Sequence, residues 1–191
     1  MQFLLSLVFV WPLLKFEAAA VDMVLYQPSG EVEPGFEGFL QDLYAETEDP
    51  TATTSFTDFF TPEGALIVLG NKAVGGADIV ALKEYLMPTA GSKIWDHLPN
   101  MTTVYSETDV NKTYAVEGVL ESTYVNGNCS QAYYSTRFTV AKKNGGVPDL
   151  NSHSSSLIIY DDLVVNPAYS PTSIPCYSFG AKTCPASKVF R

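Results

Sequence analysis

The pattern of apolar residues changes at Pro88, and this change limits most strongly what the chain can fold into. Beyond Pro88, apolar and polar residues alternate, as they do in strands that bury one face. Five such stretches follow one another: KIWDHLPN, TTVYSETDV, TYAVEGVLESTYV, QAYYSTRFTVAKK and SHSSSLIIYDDLVV. Turn sequences such as NGNCS and NGGVPDLN separate them, which predicts antiparallel pairing of consecutive strands.

Before Pro88 the pattern is mainly helical. The segment FEGFLQDLYAETED carries apolar residues at helical spacing from Phe36 to Tyr44 and predicts a first helix. Asp49 and Pro50 suit the start of a short second helix over DPTATTSFTDFF, and ADIVALKEYLM predicts a third. The segment ALIVL between them predicts a buried strand. Helices followed by a long run of strands indicate an α+β fold.

The first twenty residues have the pattern of a cleaved secretory signal. LLSLVFVWPLLKF is an apolar run too short to span a bilayer, and Ala18 and Ala20 occupy the small-residue positions of a cleavage site. We therefore expect residues 1–20 to be removed and residues 21–34 to form a turn-rich N-terminal extension. The chain is expected to be secreted, extracellular and without a membrane anchor.

Three sequons agree with export. Asn100, Asn111 and Asn128 each begin an N-x-S/T triplet, and each is a predicted glycosylation site. A glycan requires a surface position, so the sequons also predict that these three residues are exposed.

The cysteines also fit an oxidising compartment. The chain has three, and two of them are expected to pair. The spacing of Cys176 and Cys184 allows a short disulfide loop, and either residue alternatively reaches Cys129. Both lie in the tail, residues 166–191, which is rich in proline and serine and is expected to be irregular.

The charge of the chain excludes one large class of partner. The formal net charge is −10, and the only arginines are Arg137 and Arg191. Such a chain repels nucleic acid and anionic lipid, because both carry negative charge at high density. We therefore expect neither nucleic acid nor a membrane as a partner.

The order of elements and several local sequences resemble the NTF2-like superfamily. The segments are DLYAETED, FFTPEGALIVLGNKAVGGADIVALKEYLMP and WDHLP, and the similarity covers about residues 35–165. They are most similar to the fungal SnoaL-like branch, and distantly to scytalone dehydratase. The resemblance implies a cone-shaped fold in which three N-terminal helices pack on a curved antiparallel sheet and leave a pocket open. It also implies a homodimer formed through the sheet, since such dimers are common in this fold.

The resemblance implies two functions of different classes. We expect a hydrophobic pocket that binds a small hydrophobic or aromatic ligand, or a partner, without catalysis. The alternative is a dehydratase, cyclase or isomerase that needs no cofactor and acts on a small aromatic or polyketide-like substrate. Both kinds of protein occur in the superfamily, so the fold alone does not decide between them.

His97 is the main candidate catalytic residue. Scytalone dehydratase carries a histidine on the strand after its third helix, and His97 has the matching position, although the second histidine of that enzyme has no counterpart here. A histidine that faces a pocket can act as general acid or base near neutral pH. Trp95, two positions away on the same strand face, is a candidate ligand contact. In the alternative, His97 only binds a backbone carbonyl at the sheet edge.

Four more residues are candidates for the site. Asp58 lies among phenylalanines, where an apolar environment favours the protonated acid, or it faces solvent. Tyr44 and Tyr85 are placed to contact a ligand, and equally suit the core and rim of amphipathic helices. Arg137 suits a ligand carboxylate or phenolate, or pairs with an acidic residue on the next strand, such as Glu117.

No metal or phosphate-binding motif is found. His153 with Asp161 or Asp162 lacks the clustered spacing of a metal site. The segment GNKAVGG lacks the Lys-Ser/Thr of a P-loop, and the serine run lacks the G-x-S-x-G context of a nucleophile. We therefore expect no metal and no cofactor.

Overall fold

The fold is known from a computed structural model of the chain. It describes residues 21–90, 93–124, 129–143 and 146–164. The predicted signal over residues 1–20, the tail, the Cys176–Cys184 disulfide and the sequon at Asn128 lie outside the described residues, and they remain predictions.

The described residues form three helices and seven strands. In chain order they are β1 (Gln27–Pro28), α1 (Gly35–Glu48), α2 (Thr54–Thr57), β2 (Phe60–Val68), β3 (Asn71–Val74), α3 (Gly76–Leu86), β4 (Lys93–Glu107), β5 (Asn111–Tyr124), β6 (Cys129–Ala141) and β7 (Leu157–Val164). All seven strands belong to one sheet, in the order β1-β4-β5-β6-β7-β2-β3.

Two predicted helices are confirmed. In α1 the buried side chains include Phe36, Leu40 and Tyr44, which form the stripe that helical spacing predicted. Helix α3 ends at Leu86, two residues before Pro88, which cannot continue a helix. Within the described part of the chain, no helix has the length and apolar character needed to cross a membrane.

The predicted arrangement of three N-terminal helices on a curved antiparallel sheet is wrong. The sheet is mixed, because β1 runs parallel to β4 and β2 runs parallel to β7. It also dominates the structure, while the helices are short and α2 is a single turn of four residues. Strands β2 and β3 precede α3, so the helices do not form one N-terminal group.

The sequence around β2 explains part of this difference. Pro62 and Gly64 predicted a turn, but both lie inside β2, where the register against β7 shifts between Phe60 and Ala65. A side chain at Gly64 would approach the Phe60 Cβ to 2.9 Å, so this irregular stretch requires glycine. The strand therefore starts directly after α2 and leaves no room for a longer second helix.

The core lies between α1 and the sheet. Phe36 of α1 stacks on Tyr114 of β5, with ring centroids 3.9 Å apart, and packs edge-on against Phe138 of β6. Tyr44, two turns further along α1, packs edge-on against both Phe138 and Tyr134. Aromatic side chains thus attach the whole length of α1 to the central strands.

One part of β4 has a free edge among the described residues. The short strand β1 pairs with β4 only at Met101 and Thr102. The preceding segment, residues 93–100, pairs with β5 on one side and with no described strand on the other. This segment contains Trp95 and His97.

Candidate functional site

The strand register places a set of polar side chains on the side of the sheet that faces α1. Three directly opposed pairs lie on this side: His97 with Leu120, Gly118 with Tyr134, and Thr136 with Asp162. Side chains alternate between the two faces along each strand, so these six residues share the face that packs against Tyr44.

His97 forms a two-point contact with Glu48, the last residue of α1. The Nδ1 atom of His97 lies 3.0 Å from Oε1 of Glu48, and its backbone N–H donates to the same oxygen at 2.6 Å. An ionised carboxylate only accepts hydrogen bonds, so Nδ1 carries the proton in this arrangement. The other ring nitrogen, Nε2, is then left as the basic atom of a neutral imidazole.

The pair also has a structural effect. The backbone N–H of His97 belongs to the free edge of β4, and Glu48 satisfies this donor from the end of α1. A carboxylate at an open strand edge blocks pairing with another strand. His97 itself is only 5% exposed.

The Nε2 atom of His97 has no hydrogen-bond partner among the described residues. The fully buried and unpaired side-chain atoms in the described part of the chain are the hydroxyls of Tyr26, Ser29 and Ser154. Nε2 is not one of them and therefore keeps some accessible surface. The basic nitrogen is thus unpaired among the described residues and keeps some accessible surface.

Two tyrosines hold the imidazole ring. Tyr44 stacks on His97 with centroids 4.2 Å apart and planes 12° from parallel, while Tyr134 meets the ring edge-on at 5.7 Å. The Tyr44 hydroxyl donates to the Tyr134 oxygen at 3.2 Å, and both side chains are buried. Burial raises the pKa of both phenols well above the usual value, so both stay protonated.

Gly118 makes room for Tyr134. A Cβ at Gly118 would lie 2.4 Å from both Cζ and Oη of Tyr134, and 2.6 Å from the Leu98 carbonyl oxygen. The phenol of Tyr134 therefore lies directly over the β5 backbone, in space that any other residue would occupy. The contact between Tyr134 and His97 depends on this glycine.

Asp162 lies on the same face, three strands away from His97. Its Oδ1 accepts a hydrogen bond from the Thr136 hydroxyl at 2.5 Å. Burial raises the pKa of Asp162, and the neighbouring Asp161 raises it further, while the bond from Thr136 and the charge of His97 lower it. The net direction is upward, which favours a protonated carboxyl more than on a surface aspartate.

Several side chains on this face remain partly accessible. They are Val68, Trp95, Leu120 and Asp162. Trp95 lies next to Lys93, whose Nζ is 4.8 Å from the centre of the indole ring. The four residues lie on four different strands, from β4 to β2.

The opposite face of the same strands carries acidic groups. Asp96 is directly opposite Glu121 on β5, and Gln131 donates to Glu121 at 2.8 Å. Burial raises the pKa of Asp96 to about 6, and the charges of Glu48 and Glu121 add to the effect. This group lies beside the site but does not share its face.

The structure brings together only some of the predicted site residues. His97 and Tyr44 are in contact, and Trp95 shares the face of His97. Tyr85 is 81% exposed on α3, and Asp58 is exposed, with its backbone oxygen bound by Ser155. These two side chains therefore lie in solvent rather than with His97.

Arg137 lies on the opposite face of the sheet. Its guanidinium is 4.1 Å from the centre of the Tyr105 ring, and in the strand register it is opposite Asp161. Ser135, not Arg137, binds the carboxylate of Glu117. A stacked guanidinium on this face stabilises the sheet surface and is remote from the face of His97.

Three residues of the site were missed by sequence reasoning: Glu48, Tyr134 and Asp162. Glu48 follows Tyr44 by four positions, so the two share one helix face, and this spacing was a usable signal. Tyr134 and Asp162 needed the strand register, which the sequence does not contain. Asp162 was considered only as a metal ligand with His153.

The described residues offer no metal centre. No three histidine, cysteine or acidic side chains among them converge closely enough to hold an ion. The polar groups around His97 are two phenols and a carboxylate that is already bound to the histidine, so the described site has only organic acid and base groups.

Two predicted glycosylation sites lie within the described residues. The side-chain amide of Asn100 donates to the Leu25 carbonyl at 2.6 Å, and Asn111 accepts a hydrogen bond from Thr108 at 3.1 Å. Both asparagines are partly buried. Glycosylation at these positions stays a prediction.

The chain resembles solved structures in fold. ActVI-ORFA from Streptomyces coelicolor has a TM-score of 0.52 at 13% identity, over 68% of this chain and 97% of its own. A Catenulispora acidiphila protein, solved in complex with S-DNPA, has a TM-score of 0.51 at 16% identity, over 69% and 95%. An uncharacterised Caulobacter vibrioides protein with a cystatin-like fold has a TM-score of 0.51 at 14% identity, over 70% and 89%.

These likenesses show that the chain has the NTF2-like, cystatin-like fold, an α+β fold built on one large sheet. No protein-family model matches the sequence, and no curated protein matches it significantly. The similarity to the fungal SnoaL-like branch and to scytalone dehydratase stays a prediction.

Proposed function

We propose that this chain binds a small aromatic ligand on the helix-facing side of the sheet, and that His97, held by Glu48, transfers a proton to or from it. The observation that carries the proposal is the two-point contact between Glu48 and His97, which leaves Nε2 unpaired among the described residues. The ligand class follows from the aromatic rings of Tyr44 and Tyr134, which contact the imidazole, and of Trp95, which lies on the same strand face.

The chemistry follows from the hydrogen bonds of the histidine. When Nε2 accepts a proton from the ligand, the ring becomes a cation, and the carboxylate of Glu48 stabilises that charge at 3.0 Å. Stacking on Tyr44 and the bond to Glu48 fix the orientation of the ring, so little reorganisation is needed during transfer. A dehydratase, cyclase or isomerase needs only these groups.

One solved structure supports the binding of a small molecule by analogy. The Catenulispora acidiphila protein of the same fold was solved in complex with S-DNPA, a small molecule. Because the identity is 16%, its ligand is not transferred to this chain. The analogy supports only the idea that the fold accommodates a small molecule.

The test uses Trp95 as a reporter. Once the leader is removed, Trp95 is the only tryptophan, so quenching of its fluorescence reports on residues two positions from His97. The protein is titrated with a panel of aromatic and polyketide-like metabolites, and each mixture is analysed for product. Saturable quenching with product formation, lost in His97→Ala, is the expected result.

The second histidine provides a matched control. His153 is exposed, and its ring packs on Phe59 away from Tyr44. His153→Ala should keep both quenching and product formation. If His97→Ala turns over substrate as fast as the wild-type protein, the proposed catalytic role is wrong.

A second candidate function is ligand binding without catalysis. It is favoured by the structural role of Glu48, which satisfies the edge of β4 whether or not the histidine transfers protons. This candidate predicts saturable quenching with unchanged ligand. The product analysis in the titration therefore separates the two functions.

Export and dimerisation belong to the same proposal. The pattern of residues 1–20 supports secretion, and expression in a eukaryotic host should yield protein in the medium that begins at Val21. Retention inside the cell with an intact leader would contradict secretion.

A homodimer formed through the sheet predicts twice the monomer mass in sedimentation equilibrium, and a monomer would contradict it.

A further inference from the structure

The outer face of the sheet, the face turned away from α1, is unevenly buried. Val119 and Glu121 of β5 and Gln131 of β6 lie on this face and are 0%, 3% and 5% exposed. Further along the same two strands, Glu117 and Arg137 share the face but stay partly exposed. We call the three buried residues the outer patch, because their burial is confined to one part of the face.

The protein core does not explain the burial of the outer patch. Val119 is fully buried, yet it does not belong to the hydrophobic cluster that the described residues form between α1 and the sheet. The described segments outside the sheet make contacts on that inner side: Glu33 binds Lys112, and Leu150 lies next to Gly35 of α1. The outer patch is therefore covered by groups other than the helices and the core.

The surroundings of the outer patch are acidic. Asp96 of β4 is directly opposite Glu121, and Glu117 lies two positions before Val119 on β5. Carboxylates this close to one another attract any basic side chain that can reach them. The long stem of a lysine or arginine also covers apolar surface while its charged end meets the acid.

The tail has the complementary composition. Beyond the leader, every aspartate and glutamate of the sequence lies within residues 21–164, so the tail contains none. Two phenylalanines, Phe179 and Phe190, lie within three positions of a basic residue of the tail. The charged side chains of the tail are Lys182, Lys188 and Arg191. A basic segment with aromatic residues suits a surface that is partly acidic and partly apolar.

The chain leaves the sheet next to the outer patch. Val164, the last described residue of β7, is directly opposite Tyr134 of β6. The two strands are antiparallel, so β7 points toward Gln131 where it ends. Three positions along β6 separate Tyr134 from Gln131, which corresponds to about 10 Å. A few residues beyond Val164 are enough to span this distance.

We propose that the outer patch is a docking surface for the tail of the same chain. Basic side chains of the tail meet the carboxylates of Glu117 and Glu121, and the phenylalanines of the tail cover Val119. The inference does not depend on the proposed function, because His97 lies on the opposite face of the sheet. It leaves the exposed part of the outer face around Tyr105 open to a second copy of the chain.

Zero-length cross-linking tests the ionic contacts. The full chain, after removal of the leader, is treated with a carbodiimide, which joins a lysine amine to a carboxylate in direct contact, and the peptides are identified by mass spectrometry. We expect a lysine of the tail to be joined to Glu117 or Glu121. Glu37, which is exposed on α1, is the control and should stay unlinked. Links to Glu37 at the same yield, or no link from the tail lysines, would overturn the proposal.

Isotope labelling distinguishes the tail of the same molecule from the tail of a second copy. A mixture of ¹⁴N and ¹⁵N protein is cross-linked in the same way, and each linked peptide pair is assigned to one molecule or two. Pairs from one molecule are expected. If all pairs combine the two labels, a second copy supplies the tail and the proposal is wrong.

The apolar contact has a test that needs no lysine. Every phenylalanine among the described residues belongs to the core cluster on the inner side. Once the leader is removed, a phenylalanine ring close to Val119 therefore comes from the tail. We expect nuclear Overhauser effects between the Val119 methyl groups and phenylalanine ring protons, with Val119→Ile used to assign the methyl signals. Their absence would show that the sheet covers Val119 by itself, and would overturn the proposal.

Discussion

The two ends of α1 make the same kind of contact with the sheet, for different purposes. At its end, Glu48 binds His97 of β4; just before its start, Glu33 binds Lys112 of β5 at 2.7 Å. Both basic side chains are almost fully buried. In each pair a carboxylate from the helix side thus accepts hydrogen bonds from a basic residue on a strand.

The difference lies in what remains unpaired. The Nζ of Lys112 also donates to the Glu31 carbonyl and lies 3.5 Å from Glu107, while the Tyr114 hydroxyl donates to the second oxygen of Glu33. All the donors and acceptors of this pair are engaged. His97 instead keeps Nε2 unpaired among the described residues. A pair whose polar atoms are all hydrogen-bonded stabilises the fold. A pair that leaves a basic nitrogen without a partner is available for chemistry.

The largest predicted loss of stability comes from removing Lys112 from its pair with Glu33. Lys112→Met should destabilise the protein by about 3 kcal/mol, because it leaves Glu33 and the Glu31 carbonyl without their donor. Urea denaturation at pH 7 measures this change. Lys143→Met is the control, since Lys143 is about half exposed and pairs with Asp149 at the surface, where less than about 1 kcal/mol is expected.

The same pair predicts a pH dependence. Although burial raises the pKa of Glu33, the hydrogen bonds from Lys112 and Tyr114 lower it below its usual value. A lowered carboxyl pKa stabilises the folded state above the unfolded value, about 4.3, and that stabilisation is lost as the pH falls further. The difference between Lys112→Met and the wild-type protein should therefore shrink at pH 3. A constant difference from pH 7 to pH 3 would contradict this assignment.

The second effect tests the support of the His97 pair. Gly118→Ala should destabilise the protein by about 2 kcal/mol, because the new Cβ overlaps Tyr134 and the Leu98 carbonyl. Gly38→Ala is the opposite control: Gly38 lies inside α1 with open space around it, so alanine should stabilise the helix by about 0.5 to 1 kcal/mol. Equal thermal melting of the two variants would show that Tyr134 is not packed over Gly118.

The third prediction separates the effect of the Glu48–His97 pair on stability from its effect on proton transfer. Glu48→Gln should destabilise the protein by only about 1 kcal/mol, because the amide oxygen still accepts both bonds from His97. Proton transfer to a bound ligand should fall at least tenfold, since the charge that stabilises the imidazolium is gone. Glu46→Gln, two positions earlier and bound to Ser55, is the matched control. An unchanged rate of proton transfer in Glu48→Gln would show that the pair has only a structural role.

The smallest predicted change in stability is a gain, and it concerns Asp96. The pKa of Asp96, raised to about 6 by burial and by Glu48 and Glu121, lies above the unfolded value of about 3.9. A carboxyl raised in the folded state loses stability as the pH rises between these two values, so ionised Asp96 destabilises the protein at neutral pH. Asp96→Asn should thus stabilise the protein by at most about 1 kcal/mol at pH 8 and by nothing near pH 4. Denaturation midpoints at the two pH values measure both.

The sequence predicted elements better than their arrangement. The periodicities from Phe36 to Tyr44 and beyond Pro88 predicted α1 and the long strands, because burial of one face fixes the spacing of apolar residues. The parallel pairing of β2 with β7 was not predictable, since it joins Leu66 and Tyr160 across more than ninety positions. Local patterns contain no information on such pairings, so the prediction of a wholly antiparallel sheet failed, although β4 to β7 pair antiparallel as predicted.

The residues of the candidate site were also predicted only where local sequence identifies them. His97, Tyr44 and Trp95 were found because they lie near recognisable local sequences, and the structure brings the first two into contact. Glu48 was missed because its role depends on where the end of α1 meets the edge of β4. The alternative prediction was that His97 binds a backbone carbonyl at the sheet edge. His97 does lie at the edge, but its partner is the carboxylate of Glu48.

The central claim is that Glu48 directs the proton of His97 to Nδ1 and leaves Nε2 free. It is tested most directly by the two-bond ¹⁵N–¹H spectrum of the histidine rings, with His153→Ala used to assign the two residues. We predict that neutral His97 carries its proton on Nδ1, and that Glu48→Gln weakens this preference. A spectrum in which neutral His97 carries its proton on Nε2 would contradict the account, because Nδ1 would then have no proton to donate to Glu48.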